Sequence, residues 1–195
     1  MFRKFGVQKM ILKNGISLYH GSYTKIENIN LTKCLDGKDF GTGFYLTSDY
    51  AQAAKFIKTS IAKAVKNKLI DESANTGYVT KFIFNKNCDI AVYDFKKADK
   101  NWLHFVAGNR KKGIFEDEVK RFQKYDIIIG KIANDATNRV ITAYLNNVYG
   151  EVGSHSADRT AISLLLPNKL SNQFCFKTQD SVSCLEFLEA VEVQV

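Results

Sequence analysis

A chain of 195 residues can bury a core of its own, and 45% hydrophobic with 25% charged residues is the mix of a folded, water-soluble domain. No apolar run approaches the roughly 18 residues that cross a bilayer, and the hydrophobic block in MFRKFGVQKMIL is too short and interrupted for a secretory signal, so a cytoplasmic location with no membrane partner is expected. A formal charge of +8 is compatible with a nucleotide or nucleic-acid partner, although the lysines are spread over most of the chain.

Residues 1–15 are expected to be an N-terminal extension, and 16–195 one domain. There is no repeat, no low-complexity linker and a single proline, Pro167. Ile16 to His20 predicts the first strand. Lys25 to Asn30 predicts one helical turn, and Leu31 to Lys38 a loop. Gly43 to Thr47 predicts the second strand. Ser48 or Asp49 can cap a helix from Tyr50 to Asn67. Its apolar side is Ala53, Ala54, Phe56, Ile57, Ile61, Ala64 and Val65, and its lysines form a solvated face. Alternation predicts a strand over Tyr78 to Phe84, followed by another over Ile90 to Phe95. Asp99 opens a helix on which Trp102, Phe105 and Val106 recur at helical spacing. The run Ile127-Ile128-Ile129 within Tyr125 to Ile132 is expected to be a buried strand. Helices follow over Thr137 to Tyr149, with Asp135 near its start as a cap, and over Ala157 to Leu166, stopped by Pro167. Asn172 to Thr178 predicts a strand, Asp180 to Phe187 a short helix, and Leu188 to Val195 an edge strand. The sum is an α+β domain of six or seven strands.

Two motifs stand close together. Leu18-Tyr19-His20-Gly21-Ser22 would deliver one imidazole and one bare segment of main chain to a cleft. In Asp39-Phe40-Gly41-Thr42-Gly43-Phe44-Tyr45, Gly41 and Gly43 let the backbone turn and approach a ligand closely. Tyr45 then presents a ring. Ala53 and Phe56 lie one turn apart on the following helix and share a face. Each residue also has an ordinary reading: a histidine at a strand end is often a hydrogen-bonded structural residue, and a strand tyrosine is often core.

The pairing of HGS with FGTGFY, followed by a helix bearing small residues and an aromatic, resembles the nicotinamide pocket of the ADP-ribosyltransferase superfamily. The likeness is to its diphtheria-toxin-like and poly(ADP-ribose)-polymerase-like branch. The resemblance implies two splayed antiparallel sheets around an NAD cleft with flanking helices. It implies that His20 bonds the adenine-side ribose, that the Gly21 main chain bonds the carboxamide of nicotinamide, and that Ser22 and Gly43 complete the two motifs. It implies that Tyr45 and Phe56 hold the nicotinamide ring, with Ala53 beside them. The family's third position is a glutamate on a later strand. Here Ser171-Asn172-Gln173-Phe174 carries Gln173 instead. The pattern also resembles bacterial toxin-like proteins of this superfamily, whose genes commonly stand beside that of a small antitoxin.

The implied activity is NAD-dependent mono-ADP-ribosyl transfer to a macromolecule, RNA or DNA ahead of protein, in a toxin–antitoxin or phage-defence system. His20, Tyr45 and Gln173 would be the catalytic residues, NAD the co-substrate, and a cognate antitoxin a partner. Breaking the glycosidic bond of NAD requires a grip on nicotinamide, a held ribose and stabilised positive charge, and two flat rings suit a pyridinium. Gln173 can bond a ribose but carries no charge, so no polymer synthesis is expected. Alternatives are a module that binds NAD or ADP-ribose without transfer, an NAD glycohydrolase, and a basic RNA-binding protein.

The remaining candidates have smaller parts. Glu116 and Asp117 are alternative carboxylates, otherwise a solvated acidic turn. Asn109 and Arg110 can face the cleft, and Arg110, Lys111, Lys112 and Arg139 can form an acceptor-docking surface. His104 is expected at the surface and His155 in an exposed loop, without metal-ligand spacing, so no metal is expected. Cys34, Cys88, Cys175 and Cys184 form no CxxC pair and are expected to be reduced thiols.

Overall fold

The computed structural model describes residues 12–132, 135–165 and 171–195. Strand β1 is Ile16–Ser22, and Asn30 caps a 3-10 turn at Leu31–Lys33 where a loop was expected. Strand β2 is Phe44–Thr47. Helix α1, Tyr50–Lys66, starts where the Asp49 side chain accepts from the Gln52 N–H. It buries Ala53, Ile57, Ile61 and Ala64. Phe56 falls outside this stripe and is 46% exposed, so Ala53 and Phe56 do not share the packed face.

Strands β3 (Thr76–Phe84) and β4 (Val92–Asp94) precede α2, Lys100–Arg110, whose N-cap is Asp99. Every residue from Trp102 to Gly108 is buried, which makes α2 the central helix of the fold. Helix α3, Glu116–Gln123, replaces the expected acidic turn. Phe115 enters it in the left-handed region without a capping side chain. Glu116, Asp117 and Glu118 occupy its first turn, where carboxylates suit the positive end of the dipole. Next come β5 (Ile127–Lys131), α4 (Asp135–Leu145) and α5 (His155–Leu164), the last capped by Ser154. Asp135 is thus the first residue of α4. Pro167 and the end of the helix expected to reach Leu166 lie outside the described residues.

Strand β6 is Asn172–Phe176, α6 is Gln179–Ser183, and β7 is Leu185–Gln194. The helix expected over 180–187 is therefore cut short. Thr178 and Ser181 form a reciprocal capping box that starts α6 early. Leu185 and Phe187 are then taken into the sheet opposite Phe84 and Phe82. The β7 edge strand was foreseen, but it begins three residues sooner.

The fold is α+β. Among the described residues seven strands form one sheet in the order β4-β5-β6-β2-β1-β3-β7, with β4 and β5 parallel and the other pairs antiparallel. Two sheets were expected. The count is one because Tyr19 pairs with Thr47, and that single register pair joins β1 to β2. Alternation then sorts side chains to two faces. Phe44, Leu46, Ile127, Ile129, Phe174 and Phe176 pack on one face with Leu18, Phe82 and Phe84. Ile128 and Cys175 point to the other, where Trp102, Phe105, Phe122, Ile141 and Tyr144 cover them. On that second side α1 covers β1 and β3 through Ala53, Ile57, Ile61 and Val79.

Candidate functional site

The narrow join between β1 and β2 positions the sequence motifs. β1 is laddered along its whole length to β3, where His20, Gly21 and Ser22 face Thr80, Val79 and Tyr78. β2 is laddered along its whole length to β6. Between β1 and β2 the ladder stops at Tyr19 and Thr47. Continued, it would have set Gly21 opposite Tyr45. Instead the imidazole of His20 fills the gap, and its Nδ1 lies 2.8 Å from the Tyr45 carbonyl oxygen. A carbonyl only accepts, so Nδ1 carries the proton and Nε2 of the neutral ring is an acceptor. The ring lies against Phe44, centroids 4.5 Å apart. Burial lowers the His20 pKa from its ordinary 6.5, and the bond to Tyr45 offsets only part of that.

This shift has a measurable consequence. Above pH 6.5 both folded and unfolded chains hold the imidazole neutral. Below it the unfolded chain takes up a proton that the folded ring resists, so stability falls as pH drops. Asp36, Asp71 and Asp158 are held below 3.8 and lose their contribution only in stronger acid. The urea midpoint of the wild type is therefore expected to fall more between pH 7 and pH 5, the range below the ordinary histidine value, than that of His20→Gln, which takes up no proton at this position. Parallel profiles would contradict the burial of a neutral His20.

The turn before β2 is built around Tyr45. Its hydroxyl donates to the Gly41 carbonyl at 2.7 Å and accepts from the Phe40 N–H at 2.9 Å. Its ring stacks beside Phe40, and burial raises its pKa well above the ordinary tyrosine value. Gly41 has φ +80°, which glycine adopts without strain. Gly43, just before β2, packs against β6, where a Cβ would stand 2.6 Å from Cys175 Sγ. Gly21 is required by packing as well: a Cβ there would meet the Ala53 carbonyl oxygen at 1.9 Å. Ser22 is buried, and its hydroxyl accepts from the Thr24 N–H at 3.4 Å. Phe56 projects from the flank of α1 with Lys63 Nζ 5.7 Å from its ring centre. Tyr45 and Phe56 thus have separate neighbours, Phe40 for one and Lys63 for the other.

Gln173 joins the same region from β6. It pairs with Thr47 on one side and Gly130 on the other and is 6% exposed. Its Nε2 donates to Asp39 Oδ2 at 3.0 Å. Asp39 Oδ1 accepts from Arg110 Nε at 2.8 Å and from the neighbouring terminal nitrogen at 2.6 Å. The other terminal nitrogen of Arg110 donates to Asn138 at 2.7 Å. Asp39 was visible in the sequence at the head of DFGTGFY but received no role there. Arg110 was foreseen near the cleft; its guanidinium is committed to Asp39. Asn109 donates to the Phe105 carbonyl, and its Oδ1 would lie 2.9 Å from a Cβ on Gly41.

The other candidates lie elsewhere. His104 is buried, at 4% exposure, rather than at the surface. Its Nε2 faces both oxygens of Asp158 at 3.0 and 2.9 Å, and Tyr144 donates to the same carboxylate at 2.5 Å. His155 is exposed, as the first residue of α5. Lys112 stands 3.5 Å from Asp36 and Lys111 reaches the Leu145 carbonyl, while Arg139 is exposed. All four cysteines are free thiols, Cys88 and Cys184 with sulfurs 3.8 Å apart. Among the described residues no group of three or more His, Cys, Asp or Glu could hold a metal, and no helix is long and apolar enough to cross a membrane. Two shallow cavities of about 430 Å³ each lie outside the β1–β2 gap, one lined by Phe40, Gly41, Asn109 and Lys177, the other by Lys100, His155, Asp158 and Arg159.

Fold and site together define an α+β protein whose one sheet is nearly divided between β1 and β2, with His20, Gly21 and Tyr45 around the division. The chain belongs to the family described as "Protein of unknown function (DUF3990)", which it matches over residues 16–187. That span runs from the first residue of β1 into β7 and includes every candidate site residue from His20 to Gln173. No curated protein matches the chain.

Proposed function

We propose that the protein is an NAD-dependent mono-ADP-ribosyltransferase acting on a macromolecule, a nucleic acid ahead of a protein. In this reading it is the cytoplasmic toxin of a bacterial toxin–antitoxin or phage-defence system, held by a cognate antitoxin. The observation that carries the reading is the parting of β1 from β2 beyond Tyr19 and Thr47, bridged by the His20 imidazole. The parting leaves one side of the His20–Ser22 main chain without a strand partner on β2. A free main-chain edge beside a tyrosine strand is what gripping a carboxamide and a pyridinium requires. The likeness to the ADP-ribosyltransferase fold rests on the same place. Strands β4-β5-β6-β2 and β1-β3-β7 are two groups meeting at one pair, as two splayed sheets would if a single bridge joined them.

In the reaction the bond between nicotinamide and the ribose carbon breaks, and the acceptor nucleophile forms a new bond to that carbon. The Gly21 main chain would hold the carboxamide, with Tyr45 alongside the ring. His20 Nε2 would accept from a ribose hydroxyl, since Nδ1 is already committed to Tyr45. Gln173 Oε1 accepts no hydrogen bond among the described residues and would take a second hydroxyl. With an amide at this position the acceptor receives no carboxylate help, which favours single transfer to a strong nucleophile over chain growth. Two features restrict the clamp. Phe56 is half in solvent, so it would act at the rim, and Tyr45 is tied by its hydroxyl to its own turn.

The test is NAD labelled in its adenosine half, incubated with the folded protein and a cell extract. Macromolecular label is expected, removable by nuclease rather than protease. An extract without any macromolecular label would count against transfer. A second reading, NAD binding without transfer, is favoured by the amide of Gln173. Calorimetric binding of NAD with no nicotinamide release would select it.

A further inference from the structure

We infer that Asp39 is a positioning residue for the proposed reaction: its carboxylate, fixed by Arg110, orients the Gln173 amide so that Oε1 is the atom offered to the substrate. The inference rests on the NAD reading above and adds to it a residue that no motif assigned. An amide has two ends of similar shape and opposite hydrogen-bonding sense. Which end faces a ligand is decided by what holds the other. Asp39 Oδ2 is an acceptor, so it can bond only the nitrogen end of Gln173, and that contact is 3.0 Å. Asp39 cannot swing away, because Arg110 grips its second oxygen with two nitrogens at 2.8 and 2.6 Å. Arg110 is itself held at Asn138 by its third nitrogen at 2.7 Å. Both side chains of the ion pair are largely covered, 17% exposed for Arg110 and 13% for Asp39.

The chain of contacts explains how a neutral side chain can serve where a charged one would orient itself. A carboxylate presents an acceptor whichever way it turns, whereas an amide needs a neighbour to fix its sense. Asp39 is that neighbour, brought to Gln173 from 134 residues away in sequence. It stands two residues before Gly41, so the turn that carries Tyr45 also carries the group that sets Gln173.

The experiment measures NAD-dependent nicotinamide release at several NAD concentrations for wild type, Asp39→Asn, Gln173→Glu, the double variant Asp39→Asn with Gln173→Glu, and Arg110→Lys. Thermal unfolding is recorded for each. Asp39→Asn removes the fixed acceptor and lets the amide of Gln173 rotate. It is expected to lower kcat by about tenfold to a hundredfold while KM for NAD changes by less than about threefold. Gln173→Glu alone sets two carboxylates side by side. The double variant reverses the donor and the acceptor of the same contact and again presents an oxygen, so it is expected to recover at least about a third of wild-type kcat. A merely structural role would instead move the thermal midpoint in step with kcat, down in Asp39→Asn and back in the double variant, whereas the positioning role lowers kcat in an Asp39→Asn protein whose midpoint is kept. Asp39→Asn at wild-type kcat, or a double variant no better than Asp39→Asn, would overturn the inference while wild-type activity keeps the NAD reading. If Asp39→Asn does not fold, Arg110→Lys reads the same link from its other end, and full activity there would overturn it. A folded wild type that neither binds NAD nor releases nicotinamide overturns both.

Discussion

Replacing His20 with alanine is expected to abolish macromolecular labelling from NAD, with a loss of about a hundredfold or more in rate. The size follows from the two tasks of one ring. Nδ1 bridges β1 to the Tyr45 carbonyl where the strand ladder has stopped, and Nε2 is left as an acceptor toward the opening proposed there for NAD. Alanine removes both, leaving the Tyr45 carbonyl without its partner and the ribose without an acceptor. His20→Gln separates the tasks, since an amide nitrogen can restore the bond to Tyr45. It should fold with near wild-type stability at pH 7 and still be impaired in transfer. In a host cell, wild type is expected to be toxic and His20→Ala harmless at equal expression. Equal toxicity would move the activity away from this opening.

The largest expected loss of stability belongs to Gly21→Ala. A single methyl group at this position would lie 1.9 Å from the Ala53 carbonyl oxygen and 2.8 Å from its carbon. Both are helix backbone, so no side chain can rotate aside. α1 would have to lift from β1, loosening the packing of its Ile57 and Ile61 on Val79 of β3. A cost of about 3 kcal/mol is expected, as for overpacked cores. Gly113→Ala is the comparison. Its Cβ would meet nothing within 4 Å, though its φ of +85° carries strain. About 1 kcal/mol is expected there. Urea unfolding of the two variants measures the difference, and equal midpoints would contradict the close approach of α1 to Gly21.

Local chemistry made much of the fold readable. The Asp49 cap and the stripe Ala53, Ile57, Ile61 and Ala64 place α1 within a residue at its end. Alternation places β3, and the apolar run at Ile127 places β5. What escaped depends on partners far away in sequence. The join of β1 to β2 is one register pair, which no pattern in either strand announces. α3 begins after Phe115, which offers no capping side chain, so it lacks the usual start signal. His104 reads as a surface residue until Asp158, 54 residues later, supplies the carboxylate that makes burial tolerable. The family resemblance makes Phe56 half of a ring clamp, and helical spacing puts it on one face with Ala53. The sheet instead takes Ala53 and Ile57 and leaves Phe56 on the flank. At the site, His20, Gly21 and Tyr45 were legible as neighbours, and the structure sets them around the end of the β1–β2 pairing. Asp39 was not, because its contact with Gln173 joins residues 134 apart in sequence.

In the proposed reaction nicotinamide enters between β1 and β2, against the Gly21 main chain and the Tyr45 ring. Saturation-transfer NMR of NAD with the folded protein tests it directly, by comparing the ring protons of nicotinamide with those of adenine. The expected result is strong transfer to nicotinamide that is greatly reduced in Tyr45→Ala. No transfer to NAD, or transfer to nicotinamide unchanged by Tyr45→Ala in a folded variant, would contradict it.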